Sequence, residues 1–233
     1  MILRTFPYAL TAAAILASAA ACAPDQGANS PWQTVFGISD CDLLVTGGNS
    51  YFILEPGHQL VLKGDDAELQ ITVLDETETV DGVITRVVEE REWEDGELLE
   101  VSRNYFVICE RTQDVFYFGE DVDFYEDGKI VNHDGSWRAG VDGNKPGLIM
   151  AGAPKPEMKY YQEIAPGTAM DRAEIVSLDE TCEVPAGTFP KCLKIKEGTA
   201  LNIFEREYKY YAPGIGLIRD KDLVLTKYGF VSD

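Results

Sequence analysis

The chain has 233 residues, with 40 Asp and Glu against 20 Lys and Arg and a formal net charge of −20. An acid excess this large repels nucleic acid phosphates and anionic lipid head groups, which argues against a nucleic-acid partner and favours a soluble body. The length suits one β domain with a sizeable core after any leader is removed.

At the N-terminus Arg4 precedes an uncharged run, 9–21, of mostly Ala, Leu and Ile. It is too short for a permanent membrane helix, which needs about 20 apolar residues. Small residues crowd its end, and Ala19-Ala20-Ala21 places a signal-peptidase cut before Cys22. The same stretch is similar to a bacterial lipobox, with Ala19 where the usual Leu would stand. Residues 1–22 therefore read as a signal sequence. Cys22 is the expected lipid attachment site and membrane anchor; ordinary secretion into the periplasm or medium is the alternative. Residues 23–48 read as a tether and N-terminal extension, and 49–233 as a single β domain.

Hairpin turns dominate the remainder of the chain. Asp-Gly pairs favour positive φ and join neighbouring antiparallel strands, and they recur at Asp81-Gly82, Asp95-Gly96, Asp127-Gly128, Asp134-Gly135 and Asp142-Gly143. Strand-like runs lie between them. In 83–93, Val83, Thr85, Val87, Glu89, Arg91 and Trp93 share one face; Ile84, Arg86, Val88, Glu90 and Glu92 share the other. Strands continue at 98–110, 115–118, 122–125 and 129–132, a meander of at least five. Residues 136–157 are rich in Gly and Pro and read as a long loop with an apolar plug, Leu148-Ile149-Met150. Strands resume at 158–164, 173–178, 183–184, 192–196, 204–211, 216–218 and 223–228. No ten-residue amphipathic helix is found. The expected fold is all-β: a single curved antiparallel sheet forming a half-barrel or open barrel, with a two-sheet β-sandwich as the alternative.

Besides Cys22 there are four cysteines, an even number that suits an oxidising compartment. Cys182 and Cys192 flank the turn 184–189 and could sit opposite each other, which would leave Cys41 to pair with Cys109. Two other connectivities, or four buried thiols, are open.

Several phrases together resemble a family of exported bacterial proteins of unknown function that often carry lipoprotein-type signals. They include Tyr51-Phe52 with Glu55-Pro56-Gly57, Tyr117-Phe118-Gly119-Glu120-Asp121, Gly135-Ser136-Trp137, Lys145-Pro146-Gly147, Val184-Pro185-Ala186-Gly187-Thr188-Phe189 and Lys209-Tyr210-Tyr211-Ala212-Pro213-Gly214. Two turns are also similar to those of bacterial envelope β-proteins related in style to lipoprotein carriers. The resemblance implies export and an antiparallel fold, and it implies no reaction.

Catalytic and metal motifs are missing from the sequence. His58 and His133 fit no zinc spacing, and His133-Asp134-Gly135-Ser136 is too tight a turn for a triad. Asp121, Asp123 and Asp127 depart from calcium-loop spacing. No cofactor is implied, and catalysis is disfavoured. The candidate ligand-binding residues are acids beside aromatics on predicted strands: Tyr161, Glu163, Glu205, Glu207 and Tyr211. Glu205, Glu207, Lys209 and Tyr211 share a face by period two. The expected role is a non-enzymatic envelope protein whose sheet holds a small apolar or amphipathic ligand. An interaction module for a protein or polymer is one alternative, favoured if Leu148-Ile149-Met150 is exposed. A carboxylate-dependent hydrolase is the other, requiring a desolvated acid pair.

Overall fold

A computed structural model describes residues 32–231, which belong to one unit of the chain. The leader and Cys22 lie outside the described residues. The unit is all-β, and a one-turn 3₁₀ helix at Ile38–Asp40 is the one helical element among the described residues. The strands in chain order are β1 (Leu43–Leu44), β2 (His58–Lys63), β3 (Ala67–Val80), β4 (Val83–Glu94), β5 (Glu97–Cys109), β6 (Val115–Glu126), β7 (Lys129–Asn132) and β8 (Trp137–Arg138). They continue as β9 (Lys145–Met150), β10 (Lys159–Tyr161), β11 (Glu163–Ile164), β12 (Asp171–Val184), β13 (Gly187–Thr199), β14 (Glu207–Ala212), β15 (Gly216–Asp220) and β16 (Leu223–Phe230).

Turn chemistry explains the register. Asp81 and Gly82, Asp95 and Gly96, and Asp127 and Gly128 all adopt positive φ. They close two-residue hairpins between Val80 and Val83, Glu94 and Glu97, and Glu126 and Lys129. Positive φ at both positions matches the twist of the flanking strands.

These hairpins build one antiparallel sheet, in the order β10-β12-β13-β14-β15-β16-β2-β3-β4-β5-β6-β9-β11, with β1 against β5 and β7 and β8 against β6. The last strand, β16, pairs with β2, the first long one. The two ends of the order, β10 and β11, are separated in sequence by Gln162 alone, so the sheet curls into a nearly closed barrel with one unsealed seam. Both edges of the seam meet there. The Gln162 amide donates to the Asp171 carbonyl at 2.8 Å. The Asp171 amide donates to Glu163 Oε1 at 2.6 Å. Gly147 of β9 passes so close that a Cβ would lie 2.3 Å from the Gln162 carbonyl oxygen, so only glycine fits.

The segment 136–157, expected to be a loop, contributes β8 and β9. β9 pairs with both β6 and β11, and Leu148 and Met150 are buried. Gly and Pro hid a strand whose inner side chains pack into the core rather than forming an exposed plug. The body also begins before the expected boundary at residue 49. Gln33 bridges Tyr160, β1 pairs with the end of β5, and Cys41 is bonded to Cys109 with a Cα–Cα distance of 5.2 Å. That disulfide ties the N-terminal segment to the sheet.

Cys182 and Cys192, expected to bridge, are instead two buried thiols. The hairpin is irregular here: Glu180 pairs with Cys192 and Cys182 with Phe189, with bulges between Ser177 and Glu180 and between Glu180 and Cys182. The cysteines thus sit on different rungs. Cys192 Sγ donates to the Phe189 carbonyl at 3.3 Å. Burial, then the hydrogen bond with Cys182, pushes the Cys192 thiol up to about 12.

A continuous core holds the unit together. Phe116, Ile108, Met150, Ile175, Leu193, Ile195 and Tyr160 are fully buried. Each such large apolar side chain contributes about 1.5–3 kcal/mol. Phe106 stacks on Tyr117 at 4.8 Å, and Trp137 meets the edge of Tyr117 at 5.2 Å.

Candidate functional site

The barrel holds an open cavity of about 280 Å³. One end is closed by residues 49–57. Asn49 Nδ2 donates to the Gln113 carbonyl, the Tyr51 hydroxyl donates to the Lys191 carbonyl at 3.0 Å, and the Gly57 amide donates to the Val73 carbonyl. These bonds reach the β5–β6 connection, β13 and β3, and the segment presents Phe52 and Ile53 to the cavity as an apolar floor.

Above the floor the walls diverge in chemistry. Leu60 on β2 and Leu69, Ile71 and Val73 on β3 present hydrocarbon to the cavity. The next strand, β4, presents Val88, then Glu90, then Glu92. The ladder places Ile71 opposite Glu90 and Leu69 opposite Glu92, so hydrocarbon and carboxyl stand side by side. Farther round, Glu120 on β6, Glu163 at the seam, Asp171 on β12, Glu197 on β13 and Asp220 on β15 also face the cavity, against one lysine, Lys209 on β14. Period two drives this arrangement: the strand face that carries Val88 must carry Glu90 and Glu92 as well.

The ion pairs of Lys209 all lie on one wall. Its ammonium is 3.1 Å from Glu197, 3.6 Å from Glu207 and 3.4 Å from Asp220. Burial opposes its charge, but these carboxylates outweigh burial and hold the lysine well above its ordinary range. Glu207, shared with Lys221, is pulled below its ordinary value by the two lysines despite burial.

No ion pair engages Glu90, Glu92, Glu100 or Glu120 among the described residues. Burial pushes Glu90 up to about 7, with Lys209 offsetting only part. Burial likewise takes Glu120 to about 7, as burial and the neighbouring Glu92 and Glu120 do for Glu100. Glu163 is raised well above its usual range by burial and by Asp171, and Glu197 is raised by burial against the pull of Lys209. Desolvation is the first cause in each case: a carboxylate loses water inside the barrel, and Glu197 alone of these acids has an ion-paired lysine in return.

The arginines of the β4–β6 wall cannot help. Arg91 pairs with Glu89 on the outward face, Arg103 with Glu76, and Arg138 with Asp121 and Glu78. Arg86, buried, donates to the carbonyls of Val45 and Leu74.

No family model matches the chain, and no curated protein matches it. Among solved structures, a chain described as a "putative lipoprotein" from Parabacteroides distasonis ATCC 8503 is similar at 15% identity, covering 79% of this chain and 100% of that one, with a TM-score of 0.37. A likeness this low bears no weight on function, which must come from the site itself.

Of the residues singled out from sequence, Glu163 and Tyr211 line the cavity. Glu207 lies beside it through Lys209. Tyr161 does not line it. Its neighbours Tyr160 and Gln162 are buried, so alternation turns Tyr161 outward, where it meets Trp32 edge-on at 6.4 Å. Glu205 is exposed in the connection before β14. The cavity-lining acids not singled out are Glu90, Glu92, Glu120, Asp171, Glu197 and Asp220. Their signal was available in part: Glu90 and Glu92 alternate with Glu89 and Arg91, and one face of that strand had to point inward. His58 lines the apolar part and is lowered by burial, while His133 pairs with Asp123 outside. Among the described residues no group of three or more His, Cys, Asp or Glu is arranged to hold a metal ion.

Proposed function

We propose that this is an exported envelope protein that binds a small amphipathic ligand inside its barrel and catalyses no reaction. The single observation that supports binding is the barrel's cavity, with an apolar floor and β2–β3 wall and a cluster of acids among the remaining lining residues. Ligand pockets are concave and mostly apolar with a few convergent polar groups, and this volume, just below their usual range, suits a small molecule. Export rests on residues 1–22 and accords with the Cys41–Cys109 bond, which belongs to an oxidising compartment. Anchoring through Cys22 is part of the same proposal.

The test is binding of 1-aminoanthracene, a small neutral fluorophore, to the purified protein and to Ile71→Trp, which fills the cavity. The expected result is saturable 1:1 binding that the tryptophan variant loses while keeping its β-sheet circular dichroism. Equal binding by both proteins would place the dye on the surface and overturn the reading.

A hydrolase using paired carboxyls draws on the same acids, but it ranks below binding. Acid–base pairs work when their environments push two pKa values apart. Here Glu90, Glu100 and Glu120 all move up together, to about 7. The interaction-module reading loses its motive, because Leu148 and Met150 are buried and Ile149 faces the cavity.

A further inference from the structure

Resting on that reading, we propose that the ligand's polar head is an organic cation, a protonated amine or a quaternary ammonium, seated between Glu90 and Glu120 with its hydrocarbon over β2 and β3. Three features carry this beyond "amphipathic".

The first is Glu90 itself. Its carboxyl is enclosed by the barrel, and the surface it keeps faces the cavity. No hydrogen bond or ion pair from the described residues reaches it. Buried carboxyls are ordinarily paired, because an isolated buried charge is costly. A cavity-facing acid with no partner in its own chain is placed to receive one from a ligand.

The second is the distribution of cations. Lys209 is held by Glu197, Glu207 and Asp220 on the β13–β15 wall. Arg91, Arg103 and Arg138 lie outside with their own acids, and the buried Arg86 of β4 is held by the carbonyls of Val45 and Leu74 and by Asp75. Among the described residues no cation is left for Glu90 and Glu120, and an anionic head group would meet repulsion on both sides of the cavity.

The third is adjacency. Ile71 and Leu69 stand directly across the ladder from Glu90 and Glu92. A ligand whose charge and hydrocarbon are joined by one bond fits that juxtaposition. A bare metal ion does not, since it would leave the apolar wall uncovered.

The experiment is isothermal titration calorimetry at pH 8 with three probes of one chain length: octylamine, 1-octanol and octanoate. Octylamine is expected to bind at least tenfold more tightly than 1-octanol, and octanoate more weakly than either. The double variant Glu90→Gln with Glu120→Gln should bring octylamine down to the affinity of 1-octanol and leave 1-octanol unchanged. Glu205→Gln, at an exposed position, should change nothing. Both cavity substitutions keep side-chain shape, and a urea melt of each single variant checks that the fold holds. If 1-octanol or octanoate matches octylamine, or if the double variant keeps the amine preference, the cationic head is overturned while the cavity reading stands. If none of the three binds, the cavity reading falls and this inference falls with it.

Discussion

Two walls of one barrel solve the same electrostatic problem differently. On β13–β15 the carboxylates of Glu197, Glu207 and Asp220 surround Lys209, and each acid has a cation partner inside the protein. On β4–β6 the acids Glu90, Glu92, Glu100 and Glu120 have no cation and rise towards neutrality instead. The first wall is structural, because each of its three acids is tied to a lysine of the same chain. The second keeps its acids at a cost to folding, and unmatched groups facing a cavity are where binding is to be sought.

Removing the match should have the largest effect. Lys209→Met leaves three acids buried around an empty position, and breaking one partner of a buried pair costs about 3–5 kcal/mol. Urea unfolding at pH 8 should show the loss, and it should shrink at pH 5 as the acids take up protons. An unchanged midpoint at pH 8 would mean that the two walls do not differ as described.

The disulfide comes next. Cys41 and Cys109 are 68 residues apart, and removing such a closure by Cys109→Ser is expected to cost about 2–5 kcal/mol. Alkylation of the denatured, unreduced protein should label Cys182 and Cys192 but not Cys41 or Cys109, and peptide mapping reads this directly.

A smaller effect of opposite sign is expected on the unmatched wall. Glu90 sits at about 7 in the fold against 4.5 as its ordinary value, so the folded state holds its proton more tightly than the unfolded chain. Its penalty is absent below pH 4.5, grows as pH rises to 7 and is complete above that. The groups facing it are Glu92, Glu100, Glu120, Asp220 and Lys209. Glu90→Gln should therefore stabilise the empty protein by on the order of 2–3 kcal/mol at pH 8 and by almost nothing at pH 4.5. Octylamine affinity should fall as pH drops below 7, because protonated carboxyls no longer attract the ammonium.

The smallest test concerns the seam. Gly147→Ala pushes a methyl group into the Gln162 carbonyl. It should speed amide hydrogen exchange at Gln162 and Glu163 more than in β3 or β4.

Much of the barrel was legible because its hairpins are written locally. Asp81-Gly82, Asp95-Gly96 and Asp127-Gly128 set positive φ, and the strands between them arise from β-branched and aromatic residues. β9 was not legible, since Lys145-Pro146-Gly147 reads as a turn and only contact with β6 and Gln162 makes it a strand. The inward face of β4 was not legible either. Val83, Val87 and Trp93 suggest the opposite face, and only barrel closure shows that Glu90 and Glu92 point inside. The Glu207-Lys209-Tyr211 row could be read from period two, yet its partners Glu197 and Asp220 come from strands that the row alone cannot locate. The fate of Cys182 and Cys192 turned on bulges in β12, which no residue type announces.

The most direct test of an unmatched, ligand-seeking wall is a crystal structure of the protein soaked with octylamine. The amine nitrogen is predicted within hydrogen-bonding distance of the Glu90 or Glu120 carboxylate, with the chain lying along Leu69 and Ile71. An octylamine whose nitrogen sits among Glu197, Asp220 and Lys209, or one bound outside the barrel while the cavity holds only water, would contradict it.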